Sequence, residues 1–233
     1  MAIILHLETA TRSCSVALSD NDRLLALRET QRENSHAEMI TVFIQEALTE
    51  AGLQIHQLDA VAVSKGPGSY TGLRIGVSTA KGICYALNIP LLSVNTLFSL
   101  AQGVLHPDHD FDTKTLLCPM IDARRMEVYY ALFDLSLNEL KPTAAEIITS
   151  ESFSEYFQEN SLLCFGDGAE KCKTLFEGVQ KIQFIDDVFL SAQYMIPKAL
   201  ERYNRSEFEN TAYFEPFYLK DFIAGAPNVK GLK

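Results

Sequence analysis

The run Lys65-Gly66-Pro67-Gly68-Ser69-Tyr70-Thr71-Gly72-Leu73-Arg74-Ile75-Gly76 carries the densest chemical signal in this chain. It follows an apolar stretch of strand character and leads into a helical pattern. The first turn of a helix offers unpaired N–H groups and a positive dipole end to an anion. The run is not a Walker A loop, because no Lys-Ser/Thr pair follows its last glycine. Nor is it a G-x-G-x-x-G fingerprint: Gly66, Gly68 and Gly72 are spaced one residue too widely, and no acidic residue stands about twenty positions on. Two readings stay open, a phosphate cradle or a tight turn with close helix packing. Gly72, Gly76, Ala80 and Cys84 recur at i, i+4 as a stripe of small side chains, which lets another element approach closely.

Other candidates are weaker. Asp122-Ala123-Arg124-Arg125 follows an apolar strand pattern; it is either a turn held by an Asp–Arg pair or a pair of arginines facing a cleft or a partner. His106, Asp108, His109, Asp110 and Asp112 lie within one polar stretch, where adventitious zinc binding competes with the plainer reading of a solvated connector. His6 reads as core or rim, and His36 as exposed. Tyr129 and Tyr130 read as strand packing, since few basic residues interleave with them. No Ser-His-Asp or Cys-His arrangement follows from spacing.

These groups need elements to hold them. Residues 3–8, 14–18 and 24–27 alternate with turn formers and read as an antiparallel meander. Ser35-His36-Ala37-Glu38 has the form of a capping box, and the helix behind it puts Ile40, Phe43, Ile44, Ala47 and Leu48 on one face before stopping near Gly52. Residues 58–63 read as a buried strand, 73–87 as a second helix ended by Asn88 and Pro90, and 91–94 as a strand. A polar connector at 103–114 breaks the pattern. Strands recur at 116–121, 128–133 and 162–165, helices are expected at 152–159 and 191–203, and 224–233 reads as a loose tail. The expected architecture is two α/β lobes, 1–103 and 104–233.

Composition sets limits on the chemistry. The 233 residues exceed one common domain and fall short of two. Such a length hides roughly 70–75% of its unfolded surface and needs no disulfide or metal staple. Apolar residues make up 47% and charged residues 21%, which excludes a disordered or fibrous chain. The formal charge of −10 repels phosphate backbones and anionic lipid at long range, so work on nucleic acid needs a local basic patch or a basic partner. Cys14, Cys84, Cys118, Cys164 and Cys172 form no C-x-x-C pair, which fits reduced thiols in the cytoplasm. The opening residues lack a signal-peptide pattern, and no apolar run approaches the ~20 residues of a membrane span.

Three segments carry a resemblance: His6-Leu7-Glu8-Thr9-Ala10-Thr11 with Ser15-Val16-Ala17-Leu18, the block from Lys65 to Ala86, and Asp122-Ala123-Arg124-Arg125-Met126-Glu127-Val128-Tyr129-Tyr130. Together they resemble the TsaB (YeaZ) family of bacterial tRNA threonylcarbamoyladenosine biosynthesis proteins. Support beyond residue 130 is thinner, from Gly166-Asp167-Gly168-Ala169 and Pro216-Phe217-Tyr218-Leu219-Lys220. The resemblance implies a two-lobed actin-like ATPase (ribonuclease H-like) fold. It also implies a noncatalytic subunit, in the cytoplasm, of the complex that forms threonylcarbamoyladenosine at position 37 of tRNAs reading codons that begin with adenine.

In that reading TsaD is the catalytic partner and TsaE an ATPase that joins them. ATP and metal belong to those subunits, tRNA is met only through the complex, and a homodimer forms when the chain is isolated. The partner surface is expected on the first two helices, at Met39, Phe43, Ala47, Gly72, Gly76, Ala80 and Cys84. Glu8, at the position that helps hold magnesium in active members of the fold, joins Gly66, Gly68, Ser69, Arg124 and Arg125 as a vestigial nucleotide or cleft site. Catalytic relatives carry a histidine pair where this chain has Thr96 and Leu100; threonine is a poor metal ligand and leucine none. Two rivals remain, an autonomous actin-like phosphotransferase or ATPase and a glycoprotease-like metallopeptidase.

Overall fold

The computed structural model describes residues 2–32, 36–105, 111–157 and 159–220. Ser35 of the expected capping box, His106, Asp108, His109 and Asp110 of the connector, and the tail 224–233 lie outside the described residues.

The first lobe opens with β1 (Ile3–Glu8), β2 (Cys14–Asp20) and β3 (Arg23–Thr30), the antiparallel meander expected from the turn formers. It continues through α1 (His36–Ala51), β4 (Ala60–Gly66), α2 (Tyr70–Leu87), β5 (Leu91–Asn95) and α3 (Thr96–Val104). β4 pairs parallel to β1 and β5 parallel to β4, so the sheet order is β3-β2-β1-β4-β5. The second lobe repeats this plan with β6 (Thr115–Asp122), β7 (Glu127–Phe133), β8 (Glu139–Ile147), β9 (Ser161–Phe165) and β10 (Ile182–Ile185). Its order β10-β9-β6-β7-β8 has the same two antiparallel and two parallel pairings. The two lobes thus share one strand plan.

Several elements depart from expectation, each for a local reason. β8 carries Lys141, Pro142 and Glu146 and lies half exposed on a sheet edge, so it shows no clean alternation. The expected helix at 152–159 is only a 3-10 turn, Ser154–Tyr156, entered through Phe153 at φ 68°. The helix expected at 191–203 is split into a 3-10 turn, Ala192–Met195, and α4 (Ile196–Asn204), with a proline in the first turn of α4.

Alternation along β1 sorts the core. Ile3, Leu5 and Leu7 pack under α1 and α2, while Ile4 faces Ala192, Met195 and Ala199. Between the lobes, Leu97, Leu100 and Ala101 of α3 meet Leu117, Ile121, Phe133 and Phe165. The segment from Ala192 to Phe217 therefore belongs by contact to the first lobe, although a division at residue 103 groups it with the second. Beyond α4 it crosses the open edge of β5, where the Glu209 amide donates to the Leu91 carbonyl (2.8 Å). It then follows α2, with Lys81 Nζ donating to the Ala212 and Phe214 carbonyls (both 3.1 Å), and the Phe217 amide donates to the Lys65 carbonyl (2.7 Å). Lys220 finally reaches the second lobe at Glu127 and the Ala123 carbonyl.

The small stripe of α2 is part of this core. Ala80 and Cys84 are buried among Leu5, Leu7, Val61 and Val63 of the chain's own sheet. An arginine at Ala80 has no route to water, and its unpaired charge costs several kcal/mol. Ala80→Arg is expected to unfold the chain or lower its melting temperature steeply; a melting curve that matches the parent would overturn this placement.

Candidate functional site

The glycine-rich turn begins where β4 ends. Gly66 adopts φ 110°, and the Gly66–Pro67 peptide is cis. Ser69 caps α2, its hydroxyl accepting from the Gly72 amide (3.2 Å). The concave side of the turn is filled by the chain itself. The Ser69 amide donates to the Ala10 carbonyl (2.6 Å), and Thr9 Oγ1 donates to the Gly72 carbonyl (2.8 Å). A Cβ at Gly68 would overlap Ala10, one at Gly72 the Thr9 carbonyl, and one at Gly76 Thr9 Oγ1. On the other side a Cβ at Gly66 meets the Phe217 carbonyl. The glycines serve close packing, and the phosphate-cradle reading of Gly66, Gly68 and Ser69 gives way to it.

Glu8 ends β1 in a fully buried position. Its Oε1 accepts from the Ala10 amide (2.7 Å), while Oε2 has no hydrogen-bond partner among the described residues. Burial pushes this carboxyl up to about 7, against the lowering effect of the Ala10 amide and the Ser64 hydroxyl beside it. Two residues earlier on the same strand face, His6 is also buried; Nε2 bonds the Ser19 hydroxyl (2.9 Å) and burial holds the ring neutral, with its pKa down at about 3. Thr96 Oγ1 bonds Ser64 Oγ (2.8 Å) in the same layer, and Leu100 is packed in the interlobe core. His36, expected to be exposed, is half-buried with Nε2 against the Thr11 carbonyl (2.8 Å), steadying the turn after Glu8.

Between the lobes lies a cavity of about 310 Å³ lined by Thr11, Arg12, Ser13, Asp122 and Asp167 over Leu100 and Ile121. The Asp122 amide donates to Asp167 (3.0 Å), and burial raises the Asp167 carboxyl. Two carboxylates facing one arginine oppose a phosphate chain more than they hold one. Arg124 and Arg125 do not line the cavity; they sit on the exposed β6–β7 turn at φ 71° and 53°. The structure therefore does not bring Glu8 together with the arginines, and it links the β6–β7 turn to the glycine turn through the segment from Phe217 to Lys220. Arg12 and Asp167 went unread in the sequence because the lobe packing alone makes them neighbours.

The positions expected at a partner surface are mostly internal. Phe43, Ala47, Gly72, Gly76, Ala80 and Cys84 are buried in their own lobe, and Met39 is half-buried against the same core. Both helices need an inward face over β1 and β4, and the small residues supply it. The outward ridge consists of other residues: Val42 is 41% and Tyr85 is 87% exposed, and a Cβ at Gly82 meets nothing within 4 Å.

The Glu8 geometry fixes a pH dependence. A carboxyl at about 7 in the fold and 4.5 outside it stabilises the fold fully below pH 4.5, and that contribution is lost as pH rises through about 7. The difference amounts to about 3 kcal/mol. Relative to the parent, Glu8→Gln should gain this much between acid and mildly alkaline pH in urea unfolding. His6 is common to both proteins and cancels. A parallel pH dependence in the two would contradict a neutral Glu8.

Comparisons with known proteins agree with one another. The family model of TsaD, tRNA N6-adenosine threonylcarbamoyltransferase, matches residues 30–224. The tRNA threonylcarbamoyladenosine biosynthesis protein TsaB of Escherichia coli is 30% identical over 227 residues, spanning 95% of this chain and 96% of that protein. TsaB of Haemophilus influenzae is 26% identical over 231 residues, 94% of each chain. YeaZ from Pseudomonas aeruginosa has the same fold, with a TM-score of 0.75 at 24% identity over 94% of this chain and all of that one. With its lobes, glycine turn and full-length relatives in agreement, the chain belongs to the TsaB/YeaZ family of tRNA threonylcarbamoyladenosine biosynthesis proteins.

Proposed function

We propose that this chain is a noncatalytic subunit of the machinery that forms threonylcarbamoyladenosine at position 37 of tRNA, working by pairing with a TsaD-type catalytic subunit. The single observation that carries this reading is the state of the site where catalytic relatives hold a metal. Thr96 and Leu100 stand there, both buried, with Thr96 bonded to Ser64 and Leu100 locked into the interlobe core. The filled glycine turn works against an autonomous phosphotransferase, and the same two residues work against a metallopeptidase. Nucleotide and metal belong to the partners in this reading, and a TsaE-type ATPase completes the assembly.

The pairing surface is the outward ridge of α1 and α2. Ser78, Gly82 and Ala86 give α2 a second small-residue row, this one exposed. Gly82 in a helix interior sacrifices roughly 0.5–1 kcal/mol of helix stability relative to alanine, with no internal contact to justify it. Close approach of a partner helix is the physical use for that gap, and exposed Tyr85 on α2 and Val42 on α1 add apolar surface.

Gly82→Arg separates pairing from folding. The variant should melt at or above the parent, because the side chain enters open space and improves helix propensity. It should fail to co-elute with the TsaD-type subunit in size exclusion, and reconstituted tRNA modification should fail with it. A stable variant that still pairs and supports modification would remove this surface from the proposal.

A further inference from the structure

The chain is acidic overall, yet the fold gathers cations that the sequence scatters. On α2, the Arg74 guanidinium stacks over the Tyr70 ring (4.1 Å to the centroid), and its Nε donates to the Tyr218 hydroxyl (3.2 Å). The Tyr70 and Tyr218 rings lie 5.2 Å apart. Lys220 follows Tyr218 by two residues, at most about 7 Å of extended chain. It is fastened to the second lobe through Glu127 and the Ala123 carbonyl. The next residues along that turn are Arg124 and Arg125, both exposed and both in the left-handed region.

Two successive non-glycine residues at positive φ are strained, and a tight hairpin normally uses Asn or Gly there. Among the described residues, Arg74, Arg124 and Arg125 have no ion pair with a carboxylate. Among the described residues, Asp122 is engaged by Lys171 and Glu127 by Lys220, while Glu215 lies in the field of Arg74. Exposed cations beside stacked tyrosines match the recognition of a phosphate backbone with unstacked bases, where arginine and aromatic faces both stack on the base.

We propose that this surface, where the returning C-terminal segment crosses from α2 to the β6–β7 turn, contacts RNA. Arg74, Arg124 and Arg125 meet phosphates, and Tyr70 with Tyr218 offers a stacking face. The choice of RNA rests on the tRNA-modification reading above. With three such cations on an acidic chain, binding is weak at physiological salt and measurable at low salt.

The test uses the full chain and fluorescently labelled tRNA, read by anisotropy across a salt series starting at ~50 mM. Arg124→Asn with Arg125→Gly installs the residues that this turn favours, so the variant should melt at or above the parent. It should bind at least about tenfold more weakly, with a log–log salt slope shallower by about 2, roughly one per arginine removed. Arg23→Ala with Arg205→Ala removes the same charge from elsewhere and should leave the slope unchanged. Equal losses in the two variants, no loss in the first, or no binding by the parent at ~50 mM salt would each overturn the surface. Modification activity is scored separately. RNA binding through these arginines in a chain that supports no modification sinks the functional reading and keeps the surface, whereas modification without it does the reverse.

Discussion

The backbone of Thr9 and Ala10 lies directly against Gly68 and Gly72 and the Thr9 side chain against Gly76, leaving no volume for a side chain, and the first lobe is organised around that approach. It seats α2 on the ends of β1 and β4. It also converts a turn with the outline of an anion site into a packed joint, since the Ala10 carbonyl and Thr9 side chain occupy its inner face. Burial of Glu8 follows, because its strand end is closed over by the same turn. A carboxyl shut away with one unsatisfied oxygen keeps its proton up to about pH 7, because an ionised one would need a cation or more donors.

The two lobes share a strand plan but not the elements that cover it. In the first, α1 and α2 lie over one face of the sheet; in the second, among the described residues, only the 3-10 segments Ser154–Tyr156 and Glu170–Phe176 stand at the corresponding points of the chain. Gly166, with φ 98° just beyond β9, repeats the conformation of Gly66 at the end of β4. The second lobe buries Phe153, Phe176 and Tyr130 to fill the space that helices would otherwise occupy. Among the described residues, long helices with a presentable outer face are thus a property of the first lobe.

The segment after α4 ties these parts together. It covers the otherwise open edge of β5, runs beside α2 and ends on the β6–β7 turn. Covering a strand edge removes a template for unwanted pairing. The same path carries Tyr218 and Lys220 to surfaces that residues 74 and 124–125 already occupy, so one strand of irregular chain joins two lobes and two sets of cations.

Much of this was legible in the residues. The meander, α1 with its stop at Gly52, α2 with Asn88 at its end, and the turn of glycines all follow from local pattern and backbone chemistry. The motifs around Glu8, Lys65–Ala86 and Asp122–Tyr130 carried the family. What periodicity could not settle was direction. An i, i+4 stripe marks a helix face without saying what lies opposite it, and α2 has two such rows. The buried one, Gly72 to Cys84, serves its own sheet; the exposed one, Ser78 to Ala86, is left over. β8 and β10 escaped notice because edge strands bury too little to alternate. The cleft pair Arg12 and Asp167, and the path from Arg74 through Tyr218 and Lys220 to the β6–β7 turn, join residues far apart along the chain. Sequence determined which residues could form helices, strands and tight turns, because those depend on neighbours a few positions away. Only the tertiary structure decided which faces are spent on the core and which charges stand side by side, because those depend on where distant segments come to rest.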